Sequence, residues 1–294
     1  MRLSMGCRVR WGGLALVPVL FGAIGVVPAQ AAGAWSSPVA LPGACGTSGT
    51  ASLAVDTASL PAGGTWTAAR TLATRGLGVD LAVNSAGAAI IAWNGIDTAI
   101  LADSGTVLGG FAAPVAVSPS YGRGAHPQVA LNDAGSASLA WSIGTTNKAA
   151  TRSPGGIWSA PTQLSASSSG GADTAIDGAG NAVAVFEELY PVGLGTATPL
   201  YASWRPADGS WGPAIQLTAL TDSASGHVAA DAAGTFVVGY ADSATATVDA
   251  YTLPALANFG QAAVVGPGGL TNLKIAAGHA ARICGAGASQ EPVS

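Results

Sequence analysis

The chain has 294 residues, 49% of them apolar and only 9% charged, with 42 glycines and a formal net charge of −4. Lysine occurs only at Lys148 and Lys274, and this acidic balance excludes a nucleic-acid partner, whose affinity rests on Lys and Arg neutralising phosphates. Regularly spaced Val, Ile, Leu and Trp weigh against disorder.

Residues 1–31 read as a secretory signal peptide: Arg2, Arg8 and Arg10 precede the apolar run Trp11 to Val27, and Ala29-Gln-Ala31 is a small-residue cleavage site. The expectation is a secreted, extracellular protein with no membrane span in the mature chain. Processing removes three of the 11 basic residues and none of the 15 acidic ones, which leaves a balance of −7. Cys7 goes with the signal. Cys45 and Cys284 remain, one near each end, as an expected disulfide in an exported chain. The rest divides into a single domain over 32–284 and a flexible tail over 285–294.

A segment recurs along that domain. Leu81-Ala-Val-Asn-Ser-Ala-Gly-Ala-Ala-Ile-Ile-Ala-Trp93 returns as Val129-Ala-Leu-Asn-Asp-Ala-Gly-Ser-Ala-Ser-Leu-Ala-Trp141, then from Thr174 to Phe186 and from Val228 to Tyr240. Its glycines, Gly87, Gly135, Gly180 and Gly234, lie 48, 45 and 54 residues apart, and an aromatic always follows six residues later. A second element alternates with it: Gly64-Thr-Trp66, Gly110-Phe111, Gly156-Ile-Trp158, Gly209-Ser-Trp211 and Asn258-Phe259. Each period thus holds two hairpins, or four short strands, turned at Gly and Asx.

One four-stranded sheet cannot cover both its faces, whereas stacking such sheets around an axis does so and protects their edges. The fold class expected is all-β, a five-bladed β-propeller of four-stranded blades; six blades or an irregular β-sandwich are the alternatives. The last repeat, ending in Leu273 to Cys284, lacks outer strands, while the N-terminal segment has strands to spare. That segment is expected to complete the last blade, and a Cys45–Cys284 disulfide to lock the closure.

Over residues 35–284 the chain resembles secreted bacterial β-propeller repeat proteins. It is loosely similar to the sialidase-type repeat turn, from which no residue carries over because the aromatic stands too far from the glycine. By analogy with propellers, the Asx turns lie on the bottom face and ligands enter at the top.

Seven residues before each glycine stand Asp80, Gln128, Asp173 and His227, with Thr271 in the fifth repeat, all polar. This ring, with Tyr121, Arg123, His126 and Tyr190 in neighbouring loops, is the expected ligand-binding surface. The function expected is non-enzymatic binding or scaffolding, directed at a glycan or an extracellular or envelope protein, by a monomer without cofactor or metal. The alternative is a propeller-type glycoside hydrolase using Asp80, Asp173, Glu187 and Glu188, since paired carboxylates are what that chemistry requires. No nucleophile elbow, metalloprotease helix or phosphate loop is present. The repeated positions of Trp93, Trp141, Trp158 and Trp211 assign them to packing rather than sugar stacking.

Overall fold

The computed structural model describes residues 55–253, except 60–64, 66, 96, 98, 120–125, 166, 168–170, 194, 221–223 and 243–246, together with the strands Ala263–Pro267, Leu273–Ala276 and Arg282–Gly285. Four antiparallel sheets follow one another along the chain. Sheet I comprises Gly76–Val83, Ala88–Gly95, Ile100–Thr106 and a fourth strand split into Gly110–Phe111 and Val115–Ser118. Sheet II is built from Gln128–Leu131, Ala137–Ile143, Thr146–Arg152 and Thr162–Ser165. Sheet III has Ala172–Ile176, Ala182–Glu187, Leu200–Arg205 and Ile215–Gln216; sheet IV has Ala224–Ala230, Phe236–Asp242, Thr247–Leu253 and Ala263–Pro267. The all-β expectation with repeated four-stranded sheets is therefore met.

In each sheet the second strand is apolar or small on both faces, because both faces are covered. Ala137–Ile143 is buried along its whole length. Ile90, Ile100, Leu139 and Trp141 form one core between sheets I and II, and Val183, Leu200, Phe236 and Val238 another between sheets III and IV. Between sheets II and III the contact is made by Ala140, Ala149 and Ala184 with the flank of Trp211. The first strands of successive sheets pack against one another, from Gly76–Val83 through to Leu273–Ala276. Trp93 and Trp141 are fully buried, Trp158 packs against the first core, and Trp204 meets Phe236 edge-on at 5.8 Å, so the tryptophans described here are packing residues.

The recurring Asx-x-x-Gly segments are hairpin turns. Asn84, Asn132, Asp177 and Asp231 each accept, through Oδ1, the backbone N–H four residues on, at 2.8 to 2.9 Å. The glycines have φ between 77° and 93°, a region that other residues adopt only with strain. In each case the Oδ1 atom is engaged by the turn itself.

The first two turns are also joined to their successors. Asn84 Nδ2 donates to the Asn132 carbonyl at 3.1 Å, and Asn132 Nδ2 to the Asp177 carbonyl at 2.9 Å. Ser85 N–H donates to Asp133 Oδ1 at 2.9 Å. At the third turn the chemistry changes, since the Asp177 side chain has no N–H to give and its Oδ2 instead accepts Asn181 Nδ2 at 2.7 Å.

Two pairs of strands stand outside the four sheets. Val55–Thr57 pairs with Arg70–Ala73, and Val55 packs on Trp93; Gly76 is required there because a Cβ would lie 2.6 Å from Val55 and 2.8 Å from Trp93. Leu273–Ala276 pairs with Arg282–Gly285. In the four sheets the residue seven before the glycine pairs with the residue five after it, as in Asp80 with Ala92 and His227 with Gly239. Around Gly278 that rule would pair 271 with 283, whereas Ile283 pairs with Ile275. The fifth hairpin therefore turns two residues later than a Gly278 alignment implies. Cys45, Thr271 and residues 286–294 lie outside the described residues, as does the Cys45–Cys284 pairing.

Candidate functional site

Four of the ring positions lie in first strands, Gln128 and Asp173 at the start and Asp80 and His227 in the middle; each such strand has a sheet neighbour on one side only and carries unpaired N–H groups on the other. The ring aspartates supply the missing acceptors. Asp80 Oδ2, in sheet I, accepts the N–H of Val129 in sheet II at 2.7 Å. Asp173, in sheet III, does the same for Val228 of sheet IV at 3.2 Å, and its Oδ2 also meets His227 Nδ1 at 2.9 Å. Its Oδ1 accepts the N–H of Thr174 at 2.8 Å. Gln128 turns its amide onto the Pro127 carbonyl at 3.0 Å. What these bonds describe at Asp80 and Asp173 is a joint between successive sheets. His126 is exposed; Tyr121 and Arg123 lie outside the described residues.

A denser polar group forms at the same end of sheets II and III. The 54-residue period between Gly180 and Gly234 accommodates an insertion after Glu187, folded as a small hairpin of Tyr190–Val192 and Gly195–Ala197. Asn147, fully buried on sheet II, anchors it: its Oδ1 accepts the Ser142 hydroxyl at 2.5 Å, and its Nδ2 donates to Ser165 Oγ at 2.9 Å and to the Glu187 carbonyl at 3.1 Å. Ser167 Oγ donates to the Leu189 carbonyl at 2.7 Å. The insertion is thereby tied to sheet II and the loop after it by hydrogen bonds, the first part-buried and the second exposed.

On this support the two glutamates part ways. Glu187 lies back over Gly171, where a Cβ would sit 2.5 Å from its Oε1. Glu188 is half-buried; burial pushes its carboxyl above the ordinary range, and a hydrogen bond with Ser165 opposes part of that rise. Tyr201, half-buried and stacked on Phe186 with ring centroids 6.3 Å apart, has its phenol pushed up by burial, then by the charges of Glu188 and Tyr190. Tyr190 is 41% exposed. A partly desolvated carboxylate with a serine and a phenol near it offers an acceptor, donors and an apolar ring face of the kind that can meet hydroxyl groups. Glu188 and Tyr190 were legible in the sequence as top-loop residues. Asn147, Ser165, Ser167 and Tyr201 were not, because their role depends on the pairing of two sheets; the long period was the available signal.

No family model matches the sequence, and no curated protein matches it. Among solved structures, the chain is similar to the BP39L lectin from Burkholderia pseudomallei, at 12% identity and a TM-score of 0.54, over 73% of this chain and 64% of that one. It is also similar to a lectin of Aleuria aurantia, at 10% identity, a TM-score of 0.43 and coverage of 67% and 66%. A Hadza microbial sialidase, Hz136, aligns at 12% identity and a TM-score of 0.41, over 63% of this chain and 46% of that one. The chain spans 64% of the length of the first lectin. What is shared is a β-propeller-like all-β fold.

Proposed function

We propose that the protein is a secreted, non-enzymatic glycan-binding protein whose site is the end of sheets II and III around Glu188, Tyr190 and Tyr201. The observation that carries this reading is the half-buried Glu188 carboxylate, hydrogen-bonded to Ser165 and near enough to Tyr201 to raise its phenol, beside an anchored insertion. A carboxylate there accepts two sugar hydroxyls while the phenols donate or stack. The fold shared with a lectin supports it. The hydrogen bonds of Asp80 and Asp173 favour a joint over a hydrolytic pair, so binding rather than cleavage is the reading adopted.

The test is a glycan array followed by direct titration of the best ligand. Glu188→Gln is expected to weaken binding roughly 10- to 100-fold, the range of one lost charge-assisted hydrogen bond. Because burial raises the Glu188 carboxyl, its protonation begins at a higher pH than for an ordinary glutamate, and affinity is expected to fall as pH drops through that range. An array silent for the wild-type protein, or a Glu188→Gln titration indistinguishable from wild type, would sink the proposal.

We also propose that the ring closes through the N-terminus. Strand Arg70–Ala73 begins four residues after Trp66, as Thr162–Ser165 begins four residues after Trp158, which matches it to a fourth strand. With Val55–Thr57 as third strand and the hairpin 273–285 supplying the first two, a fifth blade is complete. Its face would cover Leu77, Val79, Leu81 and Val83, an alternating apolar stripe 43 to 50% exposed on sheet I. Leu81→Lys is then expected to cost about 2 kcal/mol in urea unfolding, against less than about 0.5 kcal/mol for an open surface site.

A further inference from the structure

A cleft of about 600 Å³ opens between sheets II and III at the opposite end from Glu188, beside the Asx turns. It is lined by the ends of the third strands, with Arg152 and Arg205, by Ser136, Ser153 and Ser159, and by Ile157, which is 75% exposed. The two arginines hold the same place in their repeats. Arg152 pairs with Ala137 and Arg205 with Ala182, each two residues after a turn glycine; sheets I and IV have Gly105 and Leu253 there. Among the described residues of sheets I to IV, this register position is an arginine only in II and III.

These cations are costly where they stand. Burial lowers both pKa values, and Asp208, which also lines the cleft, offsets part of this at Arg205. Arg152 Nη1 donates to the Gly135 carbonyl at 3.0 Å, while its Nε is buried without a partner. Among the described residues no carboxylate lies within salt-bridge distance of either arginine. Two partly desolvated guanidiniums in an otherwise acidic chain are complementary to an oxyanion, which each can bind with paired N–H donors. The serine hydroxyls around them suit a ligand that carries hydroxyls of its own.

We propose that this cleft is a second ligand site, taking the carboxylate of an acidic saccharide on Arg152 and Arg205 while the serines meet the sugar hydroxyls. It is separate from the Glu188 site and does not rest on it. The probes are glucuronate and its neutral counterpart methyl glucoside, titrated by saturation-transfer NMR against the full mature chain. Glucuronate is expected to bind at least tenfold more tightly than the neutral sugar, and Arg205→Gln to weaken it at least tenfold with thermal unfolding unchanged. Glu188→Gln should leave this binding as it is, which separates the fate of this site from that of the other. Arg205 serves as the test position because Arg152 also holds a turn carbonyl. Equal binding of the two sugars, no binding of glucuronate, an unaltered Arg205→Gln titration, or preference for an acidic peptide over glucuronate would each overturn the proposal.

Discussion

Trp141→Ala is expected to lower stability by about 3–5 kcal/mol, the range for a large aromatic removed from a core that cannot close over the gap. Trp141 is fully buried and sits with Ile90, Ile100, Val129 and Leu139 where sheets I and II meet. Both walls of that cavity are hydrogen-bonded sheets, so neither can collapse inward by more than a side-chain adjustment. The indole Nε1 has no hydrogen-bond partner, so its contribution is apolar contact and not a bond. Trp141→Phe separates the two effects: it keeps most of the contact area and removes a buried donor that costs stability where it is. Its expected loss is less than half that of the alanine variant. Urea unfolding of the two variants side by side measures this, and equal losses would assign the role to the indole nitrogen instead. A loss of this size is a large share of the stability of an ordinary domain, which makes a reduced yield of folded Trp141→Ala part of the same expectation.

The repeat was legible because its signals are local. An Asx whose side chain closes its own turn and a glycine that takes positive φ are decided within five residues, so Asn132 to Gly135 reads the same in the sequence as in the fold. Trp141 and Phe186 likewise fall where the spacing puts them. What could not be read is whatever crosses from one sheet to the next. Asp80 was recognised as a polar ring position, but its acceptor role depends on Val129, 49 residues on, and on the unpaired edge of a strand whose neighbour is set by stacking. Arg152 and Arg205 escaped notice for a similar reason: they are 53 residues apart, and the insertion between Glu187 and Leu200 hides their equivalence until the strand register is known. Where the local signal itself weakens, as at Gly278 without an Asx before it, the alignment slipped by two residues. The chemistry of the Glu188 site lay between these cases, flagged by an over-long period but assembled only by Asn147 from the adjacent sheet.

Asn132→Asp is expected to cost about 2–4 kcal/mol at neutral pH, although it changes the side chain by a single atom. Asn132 is 6% exposed, and its two side-chain atoms have opposite duties: Oδ1 accepts the Ser136 N–H and Nδ2 donates to the Asp177 carbonyl of the next sheet. An aspartate keeps the first bond and sets a charged oxygen against a carbonyl oxygen in place of the second. Both dipoles are buried, so water cannot intervene cheaply. The same reasoning fixes the pH dependence. Burial beside a carbonyl raises the carboxyl of the introduced aspartate above its unfolded value of about 3.9, so the folded state binds the proton more tightly. Stability is then fully present below that unfolded value, because a protonated carboxyl donates to the Asp177 carbonyl much as the amide does. It is lost as pH rises towards the folded pKa. Denaturant unfolding at pH 4 and at pH 7 should show a penalty that shrinks sharply on acidification, relative to the wild-type chain under the same conditions. Asn84→Asp, at a half-buried turn whose Nδ2 makes the equivalent bond at 3.1 Å, should show the same sign with a smaller amplitude. A penalty equal at both pH values would mean that turn-to-turn donation does not join these sheets and that the identity of the Asx is a matter of the single hairpin alone.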